Sequence, residues 1–301
     1  MESEFVTINR VPLRIDSWGG YMPSKIEAKL QEKPNELILV IPGNPGVTKF
    51  YEKFLNHLYE LTKKPIWIMS HGGHDKINSK LPSLKENKFL YNLQGQVEQK
   101  DKFIEKYLEG VKLYCVGHSV GCKMLLDLLK KERKSNVEIE KCIMLFPTIE
   151  RMAEAPNAAY VMFVINYILW LTLFGSWIFT ILPKFLQIVL LRCYCFCTGI
   201  PPNNIPAMMK LVDPHVLSKV FFLADDEMKI IKELDDETLK IYGEKLTLYY
   251  GSSDGWTPLT YYRNLREKHK NVFAEVCSHE HTFVLKESKE IASLVNDWLN
   301  V

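Results

Sequence analysis

Val111-Lys112-Leu113-Tyr114-Cys115-Val116-Gly117-His118-Ser119-Val120-Gly121 is the stretch that decides the fold. Its first six residues are rich in apolar and β-branched side chains and predict a buried strand over 111–116. Gly-x-Ser-x-Gly follows without a break, and a helical pattern covers 123–131. A strand that enters a helix this way needs a sharp turn. Small residues on both sides let strand and helix approach closely, and the turn lifts the serine hydroxyl above the sheet. Ser119 is therefore the candidate nucleophile, against the plain alternative of an ordinary strand–helix turn.

The pattern repeats in both directions. Residues 5–8 and 11–17 read as an antiparallel pair. Residues 36–42 (ELILVIP) form a short apolar run that enters Gly43-Asn44-Pro45-Gly46, which predicts a strand and a tight loop. A helix is expected over 48–61, with Thr48 as N-cap and Phe50, Phe54, Leu55, Leu58 and Leu61 on one face. A strand over 66–70, a polar loop over 76–92 and a helix over 95–108 lead into the serine motif. Beyond it lie strands over 141–146, 245–250 and 272–277, with helices over 258–268 and 287–300. Strands alternating with helices predict a mostly parallel sheet covered on both faces. With 301 residues, 47% of them hydrophobic, one large core is affordable. The expected fold is an α/β-hydrolase, one domain over 1–301, with an insert over 155–243 between strands 6 and 7, in which residues 203–243 read as short helices.

A serine needs a base, and the base needs an orienting acid. In this fold they follow in the order Ser, Asp, His. Asp254 lies in Gly251-Ser252-Ser253-Asp254-Gly255-Trp256, just past a strand, where open sheets place their sites. Asp225 and Asp226 are weaker rivals inside the insert, and Asp254 has a plain reading as a turn residue. His281, in Ser278-His279-Glu280-His281, precedes the last helix and is the candidate base. His279 is its rival, expected to be a solvent-exposed loop residue. His71 and His74 follow the wrong strand and are expected to be structural. His118 is expected to point away from the hydroxyl. The oxyanion donors are expected to be the backbone N–H groups of Val120 and Asn44, since Pro45 has none. The histidines lack the spacing of a zinc site, so neither metal nor cofactor is expected.

The alternation breaks in the insert. No charged side chain occurs from Ala155 to Pro183; Lys184 interrupts, and residues 185–191 are apolar up to Arg192. The apolar residues of 158–182 are worth about 4 to 8 kcal/mol at membrane depth. A buried cap over the active site is the bland alternative, but so long an uncharged run favours lipid contact. A single span is excluded, because Ser119 precedes the insert while Asp254 and His281 follow it. Two spans would place Lys184 and Arg192 within the second, at a cost of about 2.5–3.5 kcal/mol each if central. The expectation is a monotopic, re-entrant or interfacial hairpin over 155–200, with Phe163, Leu169, Leu173 and Phe179 among its lipid contacts. Cys193, Cys195 and Cys197 would lie near the interface, as packing residues or acylation sites.

Charge narrows the function classes. Thirty-eight basic and 36 acidic side chains give a net charge of +2, which argues against a nucleic-acid partner. Seven cysteines, scattered in apolar stretches, predict reduced thiols and an intracellular setting. The acidic N-terminus lacks an apolar h-region, so no cleaved signal is expected.

Ile41-Pro42-Gly43-Asn44-Pro45-Gly46, the serine motif, Leu145-Phe146-Pro147-Thr148-Ile149-Glu150-Arg151-Met152, and Tyr249-Tyr250-Gly251 with Asp254 and Trp256 resemble the lipid droplet-associated hydrolase family. The Phe-Pro-Thr-Ile-Glu-Arg-Met run is the specific part, and the likeness runs over nearly the whole chain. The resemblance implies an α/β-hydrolase whose apolar insert targets lipid droplets and the cytosolic face of the endoplasmic reticulum membrane. It also implies hydrolysis of neutral-lipid esters, cholesteryl ester among the candidates, with Ser119, Asp254 and His281 as the triad. A droplet-organising protein with little turnover and a soluble hydrolase of small esters or thioesters are the competing readings.

Overall fold

Alternating apolar residues pair the first two strands. In the computed structural model, which describes residues 1–77, 81–132 and 136–300, β1 (Glu2–Ile8) and β2 (Val11–Trp18) form an antiparallel hairpin. Its two turn residues, Asn9 and Arg10, have φ of 50° and 67°, a left-handed pair that matches the strand twist. The sheet continues with β3 (Glu36–Ile41), β4 (Ile66–Met69), β5 (Lys112–His118), β6 (Glu138–Leu145), β7 (Leu246–Gly251) and β8 (Phe273–Cys277). Its order is β1-β2-β4-β3-β5-β6-β7-β8. β2 pairs antiparallel with β4, and every later pairing is parallel.

Parallel neighbours need crossovers, and helices supply them. α1 (Pro23–Glu27) follows β2, α2 (Glu52–Thr62) joins β3 to β4, α3 (Leu93–Tyr107) joins β4 to β5, and α4 (Val120–Leu129) joins β5 to β6. Between β6 and β7 come α5 (Pro156–Phe163), α6 (Leu169–Ile181), α7 (Lys184–Thr198), α8 (Ile205–Leu211), α9 (Pro214–Ile230) and α10 (Asp236–Tyr242). α11 (Leu259–Lys268) joins β7 to β8, and α12 (Ser288–Leu299) closes the chain. The apolar run of β3 splits by parity, as a doubly covered strand must. Leu37, Leu39 and Ile41 join one apolar cluster with Phe103 of α3 and Leu125 of α4. Ile38 and Val40 join another with Phe54, Leu55 and Leu58 of α2 and Ile291 and Val295 of α12. Each such buried side chain contributes roughly 1.5–3 kcal/mol, so α2 holds without a side-chain cap.

Three local expectations need correction. Thr48 caps nothing: residues Thr48–Tyr51 form a 3-10 turn ahead of α2, and Leu61 is half exposed. α4 starts at Val120 rather than residue 123, because the turn at Ser119 leads straight into it. The segment 203–243 is not all short helices, since α9 has 17 residues. Its start was written in the sequence: Asp213 caps the N–H groups of His215 and Val216, and Pro214 takes the first turn. Residues 78–80, part of the loop expected over 76–92, lie outside the described residues.

The insert has two faces. α5 and α6 are joined by a π-helical turn, Val164–Ile168, into one 26-residue helix, Pro156–Ile181. After Leu182 and Pro183 the chain turns into α7. α6 packs on α9, and α7 packs on α8. The outer sides of the long helix and α7 expose Tyr160, Trp170, Phe174, Trp177, Phe185 and Phe196.

Candidate active site

The site is built at the C-terminal ends of β5, β7 and β8. Ser119 is the first residue past β5, with φ +53° and ψ −123°. Its N–H donates to the Leu145 carbonyl (3.0 Å). A Cβ on Gly121 would stand 2.2 Å from the Ile41 carbonyl oxygen, and one on Gly117 would stand 2.9 Å from Leu125. The flanking glycines are thus demanded by close approach, as the motif predicts. Gly43 also brings the 43–46 loop onto the serine, because a Cβ there would lie 2.9 Å from Ser119 Cβ.

Asp254 follows β7 and His281 follows β8. His281 Nε2 lies 3.0 Å from Ser119 Oγ, and His281 Nδ1 lies 2.7 Å from Asp254 Oδ2. Asp254 also accepts from the Trp256 N–H (2.7 Å) and from Thr257 Oγ1 (2.7 Å). Burial pushes the Asp254 carboxyl up, but the bonds from His281, Thr257 and Trp256 outweigh it and hold it below the ordinary carboxylate value. With an ionised acceptor on Nδ1, that nitrogen carries the proton and Nε2 is left to accept from the serine. Asn44 N–H donates to no group among the described residues, and Val120 N–H, at the start of α4, has no intrahelical acceptor. Both flank Ser119.

His118 joins three loops. Tyr51 Oη accepts from Gly43 N–H (2.8 Å) and lies 2.6 Å from His118 Nδ1, while His118 Nε2 lies 2.9 Å from the His281 carbonyl oxygen. Burial, then the nearby His281, drives His118 down to about 3, so its ring is neutral. The carbonyl must accept, so Nε2 carries the proton and Tyr51 donates to Nδ1. His118 therefore makes no bond to the serine, as expected, but ties the 43–46 loop to the loop that carries His281. Sequence reading missed Tyr51 and Thr257; position, three residues beyond the candidate Asp254, is a signal only for Thr257.

The rejected candidates lie elsewhere. Asp225 pairs with Lys229, and Asp226 accepts from Leu93 N–H. His74 is buried under the 43–46 loop with Nδ1 2.6 Å from the Pro45 carbonyl oxygen, and burial pushes it down to about 3. His279 is not the exposed residue expected: it is half-buried, with Nδ1 3.0 Å from Tyr249 Oη.

Above Ser119 and His281 opens a cavity of about 560 Å³. Val161 of α5, Leu191 and Tyr194 of α7, Met208 of α8 and Phe221 of α9 line it. The insert is therefore a roof over the site and, on its other side, an exposed apolar surface.

A family profile described as lipid-droplet associated hydrolase matches residues 34–284. The chain belongs to the lipid droplet-associated hydrolase family. It is 38% identical to the lipid droplet-associated hydrolase of Drosophila melanogaster, over 99% of this chain and 98% of that one. It is 32% identical to the same-named protein of Mus musculus, over 100% and 95%. Among solved structures, an esterase from Exiguobacterium antarcticum superposes with a TM-score of 0.61 at 14% identity, covering both chains fully. At that identity the likeness is one of fold alone: the sheet and helices are those of an α/β-hydrolase.

Proposed function

We propose that this member of the lipid droplet-associated hydrolase family is a serine esterase that cleaves carboxylic esters of neutral lipids, cholesteryl ester among them. The observation that carries this reading is the continuous array Asp254–His281–Ser119 at 2.7 Å and 3.0 Å beneath an apolar cavity. Ser119 Oγ attacks the ester carbonyl as His281 Nε2 takes its proton. Asn44 and Val120 N–H groups bind the oxyanion, each such donor being worth about 3 kcal/mol. The intermediate collapses to an acyl-serine, and the alcohol leaves with the proton from His281. Water then repeats the sequence and releases the fatty acid.

The place of action follows from the insert. The 26-residue helix is about 39 Å long at 1.5 Å per residue, long enough to cross a membrane. Only 11% of its most apolar stretch is buried. Yet it lines the cavity at Val161 and packs on α9, which keeps it beside the sheet. These contacts support an interfacial arrangement on lipid droplets and on the cytosolic face of the endoplasmic reticulum membrane. The same exposed face would serve a droplet-organising protein with little turnover. Incubating wild type and Ser119→Ala with droplet lipids, then profiling the esters, decides between them. A neutral ester lost only with wild type supports the esterase, and identical profiles sink it.

A further inference from the structure

The cavity wall holds one acid that the proposed mechanism does not use. Glu227 of α9 is 2% exposed and lines the cavity with Ser119, His281 and Asn44. Its Oε1 accepts from Asn44 Nδ2 at 3.0 Å, and the same Nδ2 donates to the Val220 carbonyl, also on α9, at 2.9 Å. Asn44 is thus clamped to a helix of the insert by its side chain, while its backbone N–H has no partner among the described residues. Among the described residues the Glu227 carboxyl makes no other hydrogen bond and faces no cation.

Its surroundings favour a neutral carboxyl. Burial pushes Glu227 up to about 8; the Asn44 bond opposes this, and the Asp226 charge adds to it. Asp226 itself is bonded to Leu93 N–H. The elements packed on α9 offer little compensation. α5 and α6 carry no charged side chain. Lys210 of α8 is paired with Asp75. Lys100 of α3 is buried beside His71 and His74, and the turn Met152–Glu154 offers only Glu154 after Arg151, which is paired with Glu150.

We infer that Glu227 is a positioning residue: as a neutral acid it fixes Asn44 so that the Asn44 N–H meets the oxyanion, without setting a negative charge beside it. This rests on the serine-esterase reading of the site. A carboxylate there would oppose the oxyanion by like-charge repulsion and would demand hydration in an apolar wall. Its ionisation should therefore lower kcat rather than raise KM.

The test compares full-length wild type, Glu227→Gln and Glu227→Ala on a short-chain p-nitrophenyl ester between pH 6 and 9, with Ser119→Ala as control. Glu227→Ala should lose roughly tenfold in kcat at pH 7 with KM within about twofold, and Glu227→Gln, which keeps the acceptor, should rescue it. Wild-type kcat should fall above about pH 8, and Glu227→Gln should not follow. Stability supplies a readout free of turnover. The folded value lies above the ordinary carboxylate value, so this contribution is whole at acid pH and is lost as pH rises through about 8. Wild-type Tm should then drop more between pH 6 and 9 than that of Glu227→Gln. Superimposable kcat and Tm profiles for wild type and Glu227→Gln overturn the inference. Full turnover by Ser119→Ala overturns the esterase reading and the oxyanion role with it. If Glu227→Ala does not fold, the Glu227→Gln profiles alone decide.

Discussion

At the scale of the residue, His281 and His279 make the sharpest contrast. They are two positions apart, yet His281 bridges Ser119 and Asp254 while His279 meets Tyr249. His281→Ala should abolish ester turnover and His279→Ala should leave most of it, read as kcat/KM on an activated ester; the reverse pattern moves the base to His279. Ser119→Ala should cost roughly 10³-fold or more and lose fluorophosphonate labelling, with its fold kept. Asp254→Asn should cost roughly 10⁴-fold, because the imidazole is then free to take the wrong tautomer. Asp254 also carries a pH signature. Its folded value is held low, so its contribution is present at neutral pH and is lost as pH falls through that value. The acid limb of Tm against pH should be shallower in Asp254→Asn, and an unchanged limb would mean that its bonds add no net stability. The three candidate residues were legible because each follows a strand, in the order this fold requires. Tyr51 and Glu227 were not, because His118 lies 67 residues from Tyr51 and Asn44 lies 183 from Glu227, and no local pattern encodes such a meeting.

At the scale of the element, strands were the readable part. β3 and β5 are continuous apolar runs, and burial on both faces leaves such runs little freedom to be anything else. The serine motif was readable for a steric reason, since the glycines at 117 and 121 stand where any Cβ would strike Leu125 or the Ile41 carbonyl. The insert was readable only in composition. Its hydrophobicity foretold lipid contact or a cap, and it has both an outward apolar face and a cavity-lining one. That division changes which side chains test droplet binding. Of Phe163, Leu169, Leu173 and Phe179, singled out by sequence, only Phe163 is exposed; the other three are half-buried. Serine at Trp170, Phe174, Trp177 and Phe185 instead removes outward area worth roughly 1.5–3 kcal/mol per side chain when fully buried in lipid. The quadruple variant should keep a near-wild-type Tm and move from droplets to the cytosol, as read by imaging and by flotation. If it stays on droplets undiminished, another surface does the targeting.

At the scale of the whole molecule, connectivity limits how the chain meets a membrane. Ser119 precedes the long apolar helix, Asp254 and His281 follow it, and all three meet within 3.0 Å of a neighbour. The strands on either side of the insert are themselves partners, with Cys142 opposite Leu246 and Leu145 opposite Tyr249. A chain that leaves β6 and returns to β7 of the same sheet has crossed any bilayer an even number of times. Lys184, at the start of α7, and Arg192, exposed within it, oppose a second full span. The one-sided arrangement also suits a droplet, whose monolayer has water on one face only. On intact microsomes and droplets, protease added outside should therefore remove epitopes at both the N-terminus and the C-terminus. Glycosylation acceptors placed at either end should stay unmodified. Protection of one end alone would mean an odd number of crossings and would overturn the topological argument. Protection of both would put the sheet in the lumen and overturn the cytosolic placement, while leaving the site geometry intact.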